Sequence, residues 1–241
     1  MRRVFEIVAI ALGGAVVIAV LGLYGWTRLS RYPAFDYAAS LAGEVETAEG
    51  WYAFEPEDEP VAGLVFYPGG LVDPAAYAPL MQRLSDGGVL AVIVPMPLDL
   101  AVFGIRRADE VIAAYPDVEH WAIGGHSLGG AMACEYVAAH PEVFDGLVLL
   151  ASYPAESTDL SAIDVQTALI YGTEDGVSGD VFEDSLTRLP AGTVLVEIFG
   201  GNHAQFGDYG PQKGDGTASV SREEQQRLSA ESILALLGRL Q

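Results

Sequence analysis

Trp121-Ala122-Ile123-Gly124-Gly125-His126-Ser127-Leu128-Gly129-Gly130-Ala131-Met132-Ala133 is the stretch on which the reading of this chain turns. Its first four residues predict a short buried strand, and the Ala-rich run after Leu128 predicts a helix. Between them lies Gly125-His126-Ser127-Leu128-Gly129, a Gly-x-Ser-x-Gly pentapeptide. Strand, sharp turn and helix would hold the Ser127 hydroxyl up on a strained turn, with the glycines relieving the crowding around it. Alone the pentapeptide is a weak signal in a chain with 28 glycines. An ordinary Gly-rich turn with an N-cap serine would give the same letters, so the surroundings must decide.

Working outward, apolar runs alternate with helical segments. Strands are predicted at Val61–Tyr67, Val89–Pro95, Trp121–Gly124, Leu147–Ser152, Thr167–Tyr171 and Thr193–Phe199, after an opening strand or hairpin within Glu44–Glu55. Helices are predicted at Pro74–Asp86, Gly104–Tyr115, Leu128–His140, Asp180–Leu189 and within Ser221–Leu240. Nearly continuous Val, Ile and Leu in strands that alternate with helices predict an α/β fold, a mostly parallel central sheet with helices on both faces. The short connection from Ser152 to Val165 leaves no room for a large lid domain.

In this context the pentapeptide resembles the nucleophile elbow of the α/β-hydrolase family, and the resemblance spans roughly residues 44–241. It implies a serine hydrolase with the chain order nucleophile, acid, base. Ser127 would be the nucleophile, and the Leu128 N–H at the helix start would bind a developing oxyanion. Leu169-Ile170-Tyr171-Gly172-Thr173-Glu174-Asp175 is similar to the strand that delivers the acid, which points to Asp175, with Glu174 and Asp180 as rivals among many acidic loop residues. Phe199-Gly200-Gly201-Asn202-His203 follows the last strand and supplies the base, His203. Of the other three histidines, His120 precedes the nucleophile strand, His140 ends the next helix, and His126 adjoins Ser127 but cannot readily fold back to it. A second oxyanion donor is expected from Tyr67-Pro68-Gly69-Gly70-Leu71, at Gly70 or Leu71. That segment, continuing to Tyr77, is similar to the dienelactone-hydrolase-like branch of the family, which often carries cysteine where this chain has Ser127.

The N-terminus bounds the setting. Ile7 to Trp26 carries no charge, and about 20 apolar residues span a bilayer's ~30 Å hydrocarbon core. This predicts a single-pass membrane anchor over residues 1–26 and a juxtamembrane linker over 27–43, ahead of a catalytic domain at 44–241. The run is longer than the ~7–15 apolar residues usual in a cleaved signal. Arg2 and Arg3 against Arg28 and Arg31 bias the N-terminus slightly inward, which would put the catalytic domain outside the cell.

Thirty-three acids against 12 bases give a net charge of -21, which repels nucleic-acid phosphates and argues against nucleic-acid binding. Dispersed acid with a single lysine, Lys213, resembles proteins that work in high salt. The lone Cys134 forbids an intramolecular disulfide and reads as packing in an Ala-rich helix. No metal cluster, phosphate-binding loop or nucleotide fingerprint stands out, so no cofactor is expected. The implied partners are a small ester or acyl substrate and a membrane. Acyl transfer to an alcohol, or an inactive binding protein on the same fold, are the alternatives, and the complete ordered set of Ser127, Asp175 and His203 weighs against the second. The Gly-rich stretch 204–216 reads either as a surface excursion or as a substrate-facing loop.

Overall fold

The computed structural model describes residues 2–45, 47–179 and 181–240, and of residues 2–11 and 181 the backbone only. The chain divides into two compact units, Met1–Arg31 and Tyr32–Gln241. The first is helix α1, Arg2–Ser30. Its stretch Leu12–Ser30 is long and apolar enough to cross a membrane, and passes equally as a signal sequence. Leu12, Val16, Val17, Ile18, Val20 and Leu21 all expose their side chains. A helix apolar on every side has no polar face to turn toward water.

In the second unit the elements are α2 (Asp36–Gly43), β1 (Tyr52–Phe54), β2 (Ala62–Tyr67), α3 (Ala78–Asp86), β3 (Val89–Ile93), α4 (Arg107–Ala114) and β4 (Trp121–His126). They continue with α5 (Leu128–Ala139), β5 (Gly146–Leu150), β6 (Gln166–Gly172), α6 (Val181–Leu186), β7 (Val194–Ile198) and α7 (Arg222–Leu237). Among the described residues the seven strands form one sheet in the order β1-β3-β2-β4-β5-β6-β7. Only β1 runs antiparallel, pairing Ala53 with Val92 of β3; β2 through β7 pair in parallel.

Strand side chains alternate between the two faces, and each face buries its own core. Leu64, Phe66, Ile93, Val148 and Ile170 pack with Leu80, Met81 and Leu84 of α3 and Ile233 and Leu237 of α7. Val65, Val92, Ile123, Leu149 and Leu169 pack with Val111 of α4 and Ala133, Cys134 and Val137 of α5. Burial pushes the Cys134 thiol pKa up, which suits a packed side chain. The β5–β6 connection, residues 151–165, contains no helix, so the fold carries no large lid at that point.

One boundary differs from expectation. Residues 32–43 are not a linker, because they belong to the compact unit. The Tyr32 N–H bonds to Leu71 O at 2.8 Å and the Phe35 N–H to Asp208 O at 2.8 Å. Ala38 and Ala42, four residues apart on one face of α2, are both buried. Small alanines create no large-residue periodicity, so the sequence pattern passes over them. Among the described residues of 44–55 the strand is Tyr52–Phe54, inside the expected stretch, with Thr47 N–H to Trp51 O at 2.9 Å closing a turn ahead of it.

Candidate active site

Because β2 and β4 to β7 are parallel, their C-terminal ends open on one edge of the sheet, where ligands of open α/β sheets bind. Ser127, Asp175 and His203 follow β4, β6 and β7 respectively, so three residues remote in sequence share that edge. Ser127 occupies the turn between β4 and α5 with φ 51° and ψ -121°, a conformation an L side chain rarely adopts. Tight packing enforces it. A Cβ on Gly125 would fall 2.5 Å from the Gly129 carbonyl carbon, and one on Gly129 would fall 2.1 Å from Tyr67 O. Only hydrogens fit there, so α5 starts directly against the end of β2. The Ser127 N–H bonds to Leu150 O at 3.0 Å, and Ser152 Oγ donates to Ser127 O at 2.7 Å. Leu128 is the first residue of α5, where backbone N–H groups have no helical acceptor.

The loop after β2 faces the start of α5. Its Gly69 N–H bonds to Tyr77 Oη at 3.0 Å and its Leu71 N–H to Asp99 O at 2.8 Å. Leu71 is therefore committed, contrary to its expected place beside Gly70 as an oxyanion donor. Gly70 lies beside Leu128, since a Cβ there would sit 3.1 Å from Leu128 Cδ2.

Asp175 and His203 meet: His203 Nδ1 lies 2.9 Å from Asp175 Oδ2, with side chains 2% and 5% exposed. Asp175 Oδ1 also accepts the N–H groups of Val177 (2.8 Å) and Ser178 (3.0 Å), and Oδ2 the Ser178 hydroxyl (2.8 Å). Burial alone would raise this carboxyl. The hydrogen bond and charge of His203, with the Ser178 donors, outweigh burial and hold its pKa down at about 2. Asp175 is thus ionised at neutral pH and fixes Nδ1 as the protonated nitrogen. His203 Nε2 is buried without a hydrogen-bond partner among the described residues. His203 and Ser127 border one pocket of about 270 Å³, shared with Ala131, Ala151, Tyr153 and Val177. No hydrogen bond joins Ser127 Oγ to Nε2 among the described residues; such contacts commonly tighten only with substrate.

Of the rival acids, Glu174 is exposed and engages the base loop through its backbone, N–H to Gly201 O at 2.8 Å. Asp180 lies outside the described residues. His120 stands 3.3 Å from Asp145, and His140 follows the last turn of α5 with its ring 4.9 Å from that of Tyr136.

Sequence reasoning gave no role to three residues, His126, Tyr77 and Asp215. His126 is fully buried, with Nδ1 2.8 Å from Tyr77 Oη and Nε2 3.1 Å from His203 O. A carbonyl only accepts, so Nε2 carries the proton; Nδ1 then accepts from Tyr77, whose oxygen accepts the Gly69 N–H. Burial, followed by the neighbouring His203, pushes the His126 pKa well down, so it stays neutral. A chain of hydrogen bonds thus joins the loop after β2 to the backbone of His203. Asp215, the third residue, accepts the His203 N–H at 3.1 Å and the Ala204 N–H at 2.8 Å. Nothing in the letters pairs Tyr77 with His126, or Asp215 with His203; only the fold does.

Sheet order, elbow and the acid–base pair define an α/β-hydrolase fold. The chain belongs to the alpha/beta hydrolase family, whose model matches residues 63–227. Solved structures agree in fold. The esterase domain of a Rhodothermus marinus protein superposes with a TM-score of 0.60 at 14% identity, covering 81% of this chain and 96% of its own. Est1E from Butyrivibrio proteoclasticus, in a structure with ferulic acid bound, gives 0.59 at 11% identity, covering 79% and 96%. A carboxylesterase from Mesorhizobium loti gives 0.54 at 16% identity, covering 76% and 93%. No curated protein matches the chain. At these identities the likeness is one of fold.

Proposed function

We propose that this chain is a serine hydrolase that cleaves an ester or related acyl bond. One observation carries the reading: His203 is bound through Nδ1 to the ionised Asp175, while its other nitrogen has no partner among the described residues and the ring borders the same pocket as Ser127. Ser127 Oγ attacks the substrate carbonyl carbon as its proton passes to His203 Nε2, and Asp175 stabilises the resulting imidazolium. The negative charge on the carbonyl oxygen is met by the N–H groups of Leu128 and Gly70. Collapse breaks the acyl–oxygen bond, and the alcohol leaves with the proton from Nε2. Water, losing a proton to Nε2, then attacks the acyl-enzyme, which releases the carboxylic acid and returns the proton to Ser127.

Apart from His203 and the phenol of Tyr153, whose pKa burial pushes up, the pocket lining carries no ionisable group among the described residues, and the chain carries a net charge of -21. Both favour an uncharged acyl group over an anionic one, and a pocket of about 270 Å³ favours a short one. A fluorophosphonate should label the wild type and not Ser127→Ala, which should keep its fold and lose about 10⁴-fold in kcat. p-Nitrophenyl esters of increasing length should be turned over less well as the chain lengthens. Labelling or near wild-type turnover by folded Ser127→Ala would end the proposal.

We further place α1 in a membrane as an anchor, with Tyr32–Gln241 as the hydrolase unit on the outer side. The support is the Leu12–Ser30 stretch and the Arg2-Arg3 start. An intact N-terminus in the membrane fraction agrees with an anchor; a mature chain beginning beyond Trp26 identifies a cleaved signal instead.

A further inference from the structure

We infer that Asp215 is a positioning residue that locks the acid turn and the base turn together, an inference that rests on the roles given to Asp175 and His203 above. Asp215 does not touch the imidazole or line the pocket; its carboxylate collects backbone donors. Oδ1 accepts the N–H groups of His203 at 3.1 Å and of Gly216 at 2.9 Å, with a longer contact of 3.4 Å from Gly176, the residue after Asp175. Oδ2 accepts the Ala204 N–H at 2.8 Å. One carboxylate thereby holds the peptide of the base and reaches the turn that carries the acid.

The neighbourhood supports the same role. Asn202 Nδ2 donates to Gly216 O at 2.8 Å, so the base turn is tied to residues 215–216 a second time. On the acid side a Cβ at position 216 would fall 2.1 Å from Glu174 O, so this turn lies directly against residues 174–176. The preceding residue, Asn202, is held separately: its N–H bonds to Gln225 Oε1 and its carbonyl accepts Gln225 Nε2. Asp215 takes over at the next peptide, the one that sets the direction of the His203 side chain. Hydrogen bonds from N–H groups to a carboxylate are about twice as strong as neutral ones. An asparagine of equal size cannot replace it, because one of its two side-chain groups is a donor and would face an N–H.

Displacing a catalytic group by about 1 Å costs on the order of 10²-fold in rate. Asp215→Asn should therefore lower kcat by roughly 10- to 100-fold while KM changes by less than about threefold, since the pocket lining is untouched. The experiment uses the full chain in detergent, with active sites counted by fluorophosphonate labelling carried to completion. Turnover is expressed per labelled site, so a merely structural role would lower the number of sites and the Tm but leave turnover per site unchanged. Asp215→Ser, whose hydroxyl can accept one N–H but not the set, should fall in the same range. Turnover per site within about threefold of wild type in either folded variant would overturn the inference, as would failure of both variants to fold, which would make Asp215 a stability residue. Ser127→Ala, run alongside, separates this outcome from failure of the hydrolase reading: if it stays active, the triad is wrong, whatever Asp215 does.

Discussion

The elbow at 121–130 and the proposed base region at 200–216 each hold a proposed catalytic side chain in place, by opposite means. The elbow is local. Ser127 sits between a strand and a helix that are contiguous with it, and glycines at 125 and 129 let α5 press against β2, with room for hydrogens only. The base region holds little regular structure beyond a short turn at Ala204–Phe206. His203 is oriented by partners brought from elsewhere: Asp175 on Nδ1, Asp215 on its N–H and His126 on its carbonyl. A strained backbone conformation persists only when its surroundings over-determine it. The elbow meets that condition by steric fit; His203, at φ -63° and ψ -51°, carries no such strain and is held by hydrogen bonds.

This contrast can be broken at three points. The largest effect is expected at the acid. Asp175→Asn should lower kcat by about 10⁴-fold, because an amide can hold His203 in the wrong tautomer. Glu174→Gln, one residue away and exposed, should stay within about threefold. The two are compared by kcat/KM on one activated ester, and equal losses would remove Asp175 from its assigned role. Next is steric failure of the elbow. Gly129→Ala places a methyl 2.1 Å from Tyr67 O, a backbone atom that cannot swing away. Overpacking of this kind should cost ~3 kcal/mol or more and lower Tm on the order of 10 °C. A thermal melt within about 2 °C of wild type would show that the helix does not press on the strand so closely.

The smallest effect is expected at the chain of hydrogen bonds. Tyr77→Phe removes one oxygen and leaves the Gly69 N–H and His126 Nδ1 without partners. Each buried group left unpaired costs ~1–3 kcal/mol. The variant should melt several degrees lower and lose up to about tenfold in kcat. An unchanged melting curve would mean that these atoms find other partners.

Legibility in the sequence follows the same division. Alternating strands and helices, the elbow and the position of His203 after the last strand are written in contiguous letters, and the observed elements fall within a few residues of those expected. Residues 32–43 were misread because Ala38 and Ala42 bury too little side chain to mark a helix, although α2 packs them out of solvent. Leu71 was a reasonable oxyanion donor until the fold brought Asp99 O to its N–H. His126 looked like an incidental neighbour of Ser127, and Asp215 like one more acid in an acidic chain.

By itself the sequence determined the order of strands and helices, the serine on its Gly-framed turn, and an apolar N-terminal helix of membrane-spanning length. Periodicity and glycine spacing are local properties that any contiguous stretch displays. Tertiary structure alone decided which acid meets His203, which N–H near the elbow is already engaged, and that His126 and Asp215 hold the His203 backbone at its carbonyl and its N–H. Those are contacts across 12 to 77 positions of chain, and a hydrogen bond between distant residues leaves no periodic mark in either segment.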